Sequence, residues 1–298
     1  MSLRSKGIIA ILFSALGFSL MNLFIPLAGD IPTIQKSFFR NLIAMIVAII
    51  VLFNEHKKVP VKELEKPKSI PWAMLIMRSF IGTVGLWCNF YAMDHLMISD
   101  ASVLNKLSPF ATLIFSFLFL KEPMKKFHLV VLAFAFTGVL FVVKPTLAST
   151  TMFPYLIGIL GGVSAGAAYT CVRKLNSMGV TPAFIIAFFS AFSTIISLPQ
   201  LIFNYAPMSG QQILILLTVG LMATVGQFGI TFAYKFAPAS EISVFDYTNI
   251  IFTGLWGFIF LKQVPDRYSL LGYAMIMLAG ILSFQYNRYL LNQMKKEG

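Results

Sequence analysis

The chain has 298 residues, of which 58% are hydrophobic and only 11% charged. Soluble proteins carry about a quarter charged residues, so an ordinary water-soluble enzyme is excluded. The formal charge of +12 lies in short gaps between apolar runs, which fits loops flanking a membrane and excludes a nucleic-acid-binding face.

A membrane-crossing helix needs about 20 mostly apolar residues. In chain order such segments fall at 7–27, 34–53, 71–93, 99–120, 127–147, 154–174, 182–203, 211–234, 239–261 and 268–290. Arg4 and Lys6 precede the first, and no small-x-small cleavage site follows it, so it reads as a retained span. The longest polar gap, Asn54 to Ile70, leaves no room for a soluble domain. Cys88 and Cys171 sit inside apolar segments, which argues against a disulfide framework, and His56, His95 and His128 lack ligand spacing. Pro26, Pro109 and Pro199 are candidate kinks, Pro109 as a hinge one turn after Lys106. Gly158, Gly162 and Gly166 form overlapping small-xxx-small steps that let a neighbouring backbone come close.

With a cytoplasmic N-terminus, sixteen Lys and Arg fall on the inner side and four on the outer; Arg40, Arg78 and Lys106 lie within spans. This bias predicts both termini inside.

Sliding the chain against itself by 141 residues aligns 85–121 with 226–262, with ten of 37 positions identical. The matched set includes Gly85/Gly226, Ser99/Ser240, Ser102/Ser243, Thr112/Thr253 and Lys121/Lys262, while Asp100/Glu241 and Asn105/Asp246 are chemically close. Each half then holds five spans, and an odd number forces the second half to enter the membrane upside down. Inverted repeats of this kind hold substrate near the midplane and work by alternating access.

Several motifs carry a resemblance. Phe90-Tyr91-Ala92-Met93, Ala101-Ser102-Val103-Leu104, Ser108-Pro109-Phe110, Leu120-Lys121-Glu122-Pro123 and Gly138-Val139-Leu140 are similar to the EamA signature of the drug/metabolite transporter superfamily. Phe232-Ala233-Tyr234 to Phe260-Leu261-Lys262 repeats it. Two positions depart from the pattern: Gln263 stands where the first half has Glu122, and Ile250 where it has Pro109. Within the superfamily, Met77-Arg78-Ser79-Phe80, Phe245-Asp246-Tyr247-Thr248 and Val264-Pro265-Asp266 resemble the branch holding riboflavin and S-adenosylmethionine carriers. The resemblance implies an all-α membrane protein of ten helices in two tandem repeats, 1–148 and 149–298, moving small organic solutes through a central cavity.

A charge at mid-bilayer costs about 2.5–3.5 kcal/mol on insertion scales and needs a reason. Asp246 lies about 9 Å from the inner boundary and Lys106 about 10 Å from the outer one at 1.5 Å per residue. They are expected to line the cavity about 10 Å apart along the normal, one nearer each mouth, in a core about 30 Å thick, and to bind opposite charges on the substrate or help gating, with a structural pairing to another buried polar group as the alternative. Arg78 is a candidate for substrate or Asp246 contact, with snorkelling to the headgroups as its alternative. Arg40 is expected to snorkel, and Asp100 and Glu241 to cap their helices. Trp87, Asn105, Gln227 and Tyr247 complete the expected substrate-binding set, because they fall on the repeated central helices.

There is no GxxxxGK or HExxH motif. The expected function is a secondary carrier without cofactor or metal, moving a small organic metabolite or drug across a bacterial cytoplasmic membrane. Coupling through a proton would run through Asp246, read as the only deep carboxylate. A monomer suffices, because one chain contains both halves. The competing reading is an intramembrane enzyme acting on a lipid or isoprenoid, for which no headgroup-level cluster of carboxylate, His or Arg can be assembled.

Overall fold

The structure is a computed structural model describing residues 3–58, 70–121, 126–144, 152–236 and 243–297. Glu122, Pro123 and Glu241 lie outside the described residues. Hydrocarbon offers no partner to a free N–H or C=O, so apolar segments of this length must close their backbone bonds within themselves as helices.

The helices are α1 (Leu3–Leu27), α2 (Thr33–Lys58), α3 (Trp72–His95), α4 (Ile98–Asn105), α5 (Ser108–Leu120), α6 (Lys126–Val143), α7 (Met152–Ser177), α8 (Pro182–Phe203) and α9 (Gly210–Phe236). A 3₁₀ turn, Ser243–Tyr247, leads into α10 (Thr248–Leu261), and α11 (Arg267–Glu297) follows. Among the described residues, nine segments are long and apolar enough to cross a membrane, with α4 and α5 counting as one, and Phe245–Leu261 is a shorter tenth. The ten expected spans therefore stand, within a few residues at most ends. Pro26 and Pro199 sit inside α1 and α8. Pro109 lies in the first turn of α5, where its missing N–H has no intrahelical partner to lose.

The largest helix contacts are unchanged when the halves are exchanged. With α4–α5 as span four and the 3₁₀ turn plus α10 as span nine, moving five spans along the chain turns each of these pairs into another observed pair or into itself. Thus α1 packs on α9 as α3 packs on α7, α5 on α7 as α10 on α1, and α2 on α9 as α3 on α8; α2–α8, α6–α11 and α4–α10 map onto themselves. A second signature is conformational. Lys121 (φ 56°, ψ 30°) and Lys262 (φ 55°, ψ 27°) both close their helices in the left-handed region, which few non-glycine residues adopt. They are 141 positions apart, as the aligned halves require.

Span four is interrupted between α4 and α5, within a turn of the hinge expected at Pro109, and span nine passes from 3₁₀ to α-helix at Tyr247. The chain tightens at Lys106 and Leu107: Lys106 N–H is shared between the Ser102 (3.2 Å) and Val103 (3.0 Å) carbonyls, and Leu107 N–H donates to that of Leu104 (3.1 Å). The matching position in span nine is the passage from Tyr247 to Thr248. The break sits against the glycines of α7. A Cβ on Gly162 would collide with the Leu104 carbonyl oxygen, and one on Gly166 would lie 2.7 Å from that of Ser108. The small-residue stripe therefore seats an interrupted backbone rather than a plain helix surface.

This makes a direct prediction. Gly162→Ala should cost about 1–3 kcal/mol, the usual penalty of overpacking, whereas Gly210→Ala, which opens onto free space, should be neutral. Heat unfolding of the two purified variants in detergent checks the difference.

Candidate functional site

The two helix breaks bring the two buried charges together. Lys106 Nζ lies 2.5 Å from Asp246 Oδ2, and the side chains are only 11% and 22% exposed. The expected arrangement, with one charge nearer each mouth, is thereby corrected: the depth estimate placed each charge at its Cα, and the lysine's four-carbon stem closes the gap. Lys106 caps α4, and Asp246 sits in the 3₁₀ turn that opens span nine. Beside them Ser102 Oγ donates to Asn249 Oδ1 (2.9 Å), and Asn249 Nδ2 donates to the Ala15 carbonyl (3.0 Å), so α1, α4 and α10 are bound at one level.

The other expected site residues are placed as follows. Asn105 is half-buried in the last turn of α4, and Gln227 half-buried on α9. Trp87 is half-buried on α3 with its indole Nε1 unpartnered. Tyr247 is 8% exposed and packs in the core with Leu107, Phe110 and Ile276, its ring lying against Gly280.

Arg78 is 6% exposed, and its guanidinium lies over the Phe189 ring at 3.9 Å from the centroid. Arg40, expected to snorkel, is also only 6% exposed and faces the same ring at 5.8 Å. The sequence signal for this was present: Ser37, Arg40 and Asn41 share one helix face at i, i+3 and i+4. A lipid-facing arginine would not carry such companions. Asn41 holds the face inward through Ser193 Oγ (2.8 Å) on α8. Tyr169 of α7 is 48% exposed.

Asp100 is not the expected helix cap. No side chain caps α4, and Asp100 is fully buried, accepting bonds from the hydroxyls of Tyr273 (2.5 Å) and Tyr155 (3.0 Å). Asp100 is thus a second buried carboxylate, in the first turn of its span rather than near the midplane. Near Asp100, Ile98 N–H donates to Gln263 Oε1 (2.9 Å), giving the departure from the motif at Gln263 a structural role. Lys144 pairs with Asp266 across α6 and α11, and its ammonium holds that carboxyl below the usual carboxylate range. What that pair contributes is present above the ordinary carboxylate pKa and lost as pH falls through the lowered one. At 33% and 53% exposure it contributes little. Among the described residues no group of His, Cys, Asp and Glu could hold a metal ion.

Comparison with known proteins places this geometry. The profile described as the EamA-like transporter family matches residues 5–144 and again 152–285. The chain is 29% identical to the pseudopaline exporter CntI of Pseudomonas aeruginosa, over 94% of this chain and 96% of that protein. It is 26% identical to human solute carrier family 35 member G1, over 89% of this chain and 75% of that one. An uncharacterized transporter of Helicobacter pylori matches at 26% identity over 93% of both. A crystal structure of a protein at 15% identity superposes with a TM-score of 0.63 over 93% of this chain and 98% of that chain, which shows the shared fold.

Removing one partner of a buried pair strands the other charge, at about 3–5 kcal/mol. Lys106→Met and Asp246→Asn should each lower stability by an amount of that order, and the double variant should regain most of it. A thermal double-mutant cycle on purified protein checks the coupling; additive losses would show that the pair does not hold the breaks together.

Proposed function

The chain belongs to the EamA-like transporter family, and from that premise we propose that it carries a small organic metabolite across the cytoplasmic membrane by alternating access. It is a multi-pass membrane transporter, and its family and curated relatives are transporters rather than enzymes. The observation that carries the finer reading is the Lys106–Asp246 pair at the paired breaks of spans four and nine. Broken helices at membrane depth are tolerated only where protein or a cavity covers them, and in secondary transporters they mark the substrate site.

In this reading the solute occupies a central cavity between the halves, near Lys106, Asp246, Arg78, Asn105, Trp87, Gln227 and Tyr247. The ties from Asp100 to Tyr155 and Tyr273, from Ile98 to Gln263 and from Lys144 to Asp266 all join the two halves at one end of the bundle. That end serves as a gate, closed in this conformation. The Lys and Arg bias puts both termini in the cytoplasm and the gate on the outer side. A coupling proton would act by neutralising Asp246 and releasing Lys106. The repeats fill 1–148 and 149–298, one chain suffices, and the exporter among its relatives favours outward movement.

Untargeted mass spectrometry of cells at matched membrane abundance tests this. A metabolite depleted inside cells expressing the wild type, and restored with Asp246→Asn, is the expected result. No metabolite shift between wild type and empty cells overturns the carrier reading. An identical shift with wild type and Asp246→Asn keeps transport but removes the ion pair from the site.

A further inference from the structure

Lipid and protein interior both penalise a charge that has no partner, and each buried arginine must therefore be accounted for. Arg40 and Arg78 are each 6% exposed, and a guanidinium keeps its proton in every protein setting. Among the described residues no carboxylate lies within ion-pair distance of either. Arg40 Nη1 donates to Asn41 Oδ1 (2.6 Å), a neutral acceptor. Arg40 Nε, Arg78 Nε and Arg78 Nη1 are buried with no hydrogen-bond partner. The hydroxyls of Ser79 and Ser190, next in sequence to Arg78 and Phe189, are orphaned too. Five of the nine orphaned buried side-chain atoms among the described residues thus come from this one stretch between α2, α3 and α8.

The Phe189 ring only partly replaces a counter-charge. Its face attracts both guanidinium groups, at 3.9 and 5.8 Å, but it accepts none of their in-plane N–H bonds. Two cations on one ring also repel each other in a medium of low dielectric constant. Elsewhere in the bundle the buried cations are matched: Lys36, 1% exposed, pairs with Asp94 at 2.6 Å, and Lys106 with Asp246. The deficit of negative charge is local to the arginine pair.

We propose that Arg40 and Arg78 form the anion-recognising end of the transport site, and that the solute carries at least one carboxylate or phosphate group received by their free N–H groups. This rests on the reading of a central solute site and deepens it by naming the substrate class. A planar guanidinium presents paired donors that match a carboxylate or phosphate. The other end of the solute then faces the Lys106–Asp246 pair. The transported species is then an organic anion long enough to reach from the arginines to that pair.

The test uses the purified full-length protein in phosphatidylcholine nanodiscs and three five-carbon probes of matched length: glutarate, glutaramide and cadaverine. Glutarate should raise the melting temperature saturably, and the neutral and cationic probes should not. Arg78→Gln and Arg40→Gln should each weaken the glutarate response at least tenfold, and Arg78→Lys should weaken it less. Arg78→Met should raise the melting temperature of the empty protein while abolishing the glutarate response, because it removes an unmatched buried charge; a merely structural arginine would give a lower one. Equal response to all three probes, no response to glutarate, or an intact glutarate response in both Gln variants overturns the proposal. Stabilisation by added phosphatidylglycerol but not by glutarate assigns the arginines to a lipid headgroup and overturns it as well. Metabolites shifted by wild-type cells that prove neutral or cationic overturn the anion class alone, whereas no metabolite shift at all is the failure of the carrier reading beneath it.

Discussion

Hydrocarbon supplies no hydrogen bonds and no counter-charges, and that single constraint organises the molecule. It makes every long apolar segment a helix, and it makes each departure from helix a problem that protein must solve. The turn at Lys106 and Leu107 is such a departure. Its backbone is covered by tightened bonds to Val103 and Leu104 and by the close approach of Gly162 and Gly166 on α7. Its charge is covered by Asp246, which arrives from the matching break in the other half. The glycine stripe, the two breaks and the ion pair are therefore one solution.

The same constraint explains why a place of this kind suits transport. A continuous helix has no spare polar groups to offer a solute, whereas a broken one presents ends and charges at membrane depth without exposing them to lipid. The exchange symmetry of the packing sets the two breaks face to face, since span four packs on span nine through α4 and α10. Neither half alone contains the pair: Lys106 comes from one and Asp246 from the other.

Much of this was legible in the sequence, and the limits have physical causes. Span positions follow from apolar runs, whose length is fixed by bilayer thickness, so the ten segments could be read directly. The repeat was visible because its polar positions, such as Ser102/Ser243 and Lys121/Lys262, keep one register. The interruption at Lys106 and Leu107 was not visible, because neither residue is a helix breaker and the one strong breaker in the span, Pro109, sits harmlessly in the first turn of α5. Long side chains misled in two directions. Depth counted along the backbone separated Lys106 from Asp246, which the lysine stem joins. Position near a span end suggested that Arg40 reaches for headgroups, yet it turns inward to Phe189. Asp100 looked like a cap because of its place in the first turn; its partners, Tyr155 and Tyr273, lie on helices that only the tertiary fold brings near.

Charge balance gives the last step. Lys36–Asp94, Lys106–Asp246 and Lys144–Asp266 are matched pairs spread over the bundle, and Asp100 is satisfied by two hydroxyls without a cation. Each of these groups meets its needs within the protein in this conformation, and each tie either holds a helix pair or joins the halves. The arginines beside Phe189 differ in kind. Their donors face inward, their serine neighbours are unsatisfied, and nothing in the described chain neutralises them. Such groups cost stability in the empty protein, and the imbalance is resolved only when negative charge arrives from outside. A carrier that pre-forms its donors spends less on reorganisation when the solute binds. The electrostatic deficit at α2, α3 and α8 is, on this argument, the empty half of a bond that the solute completes.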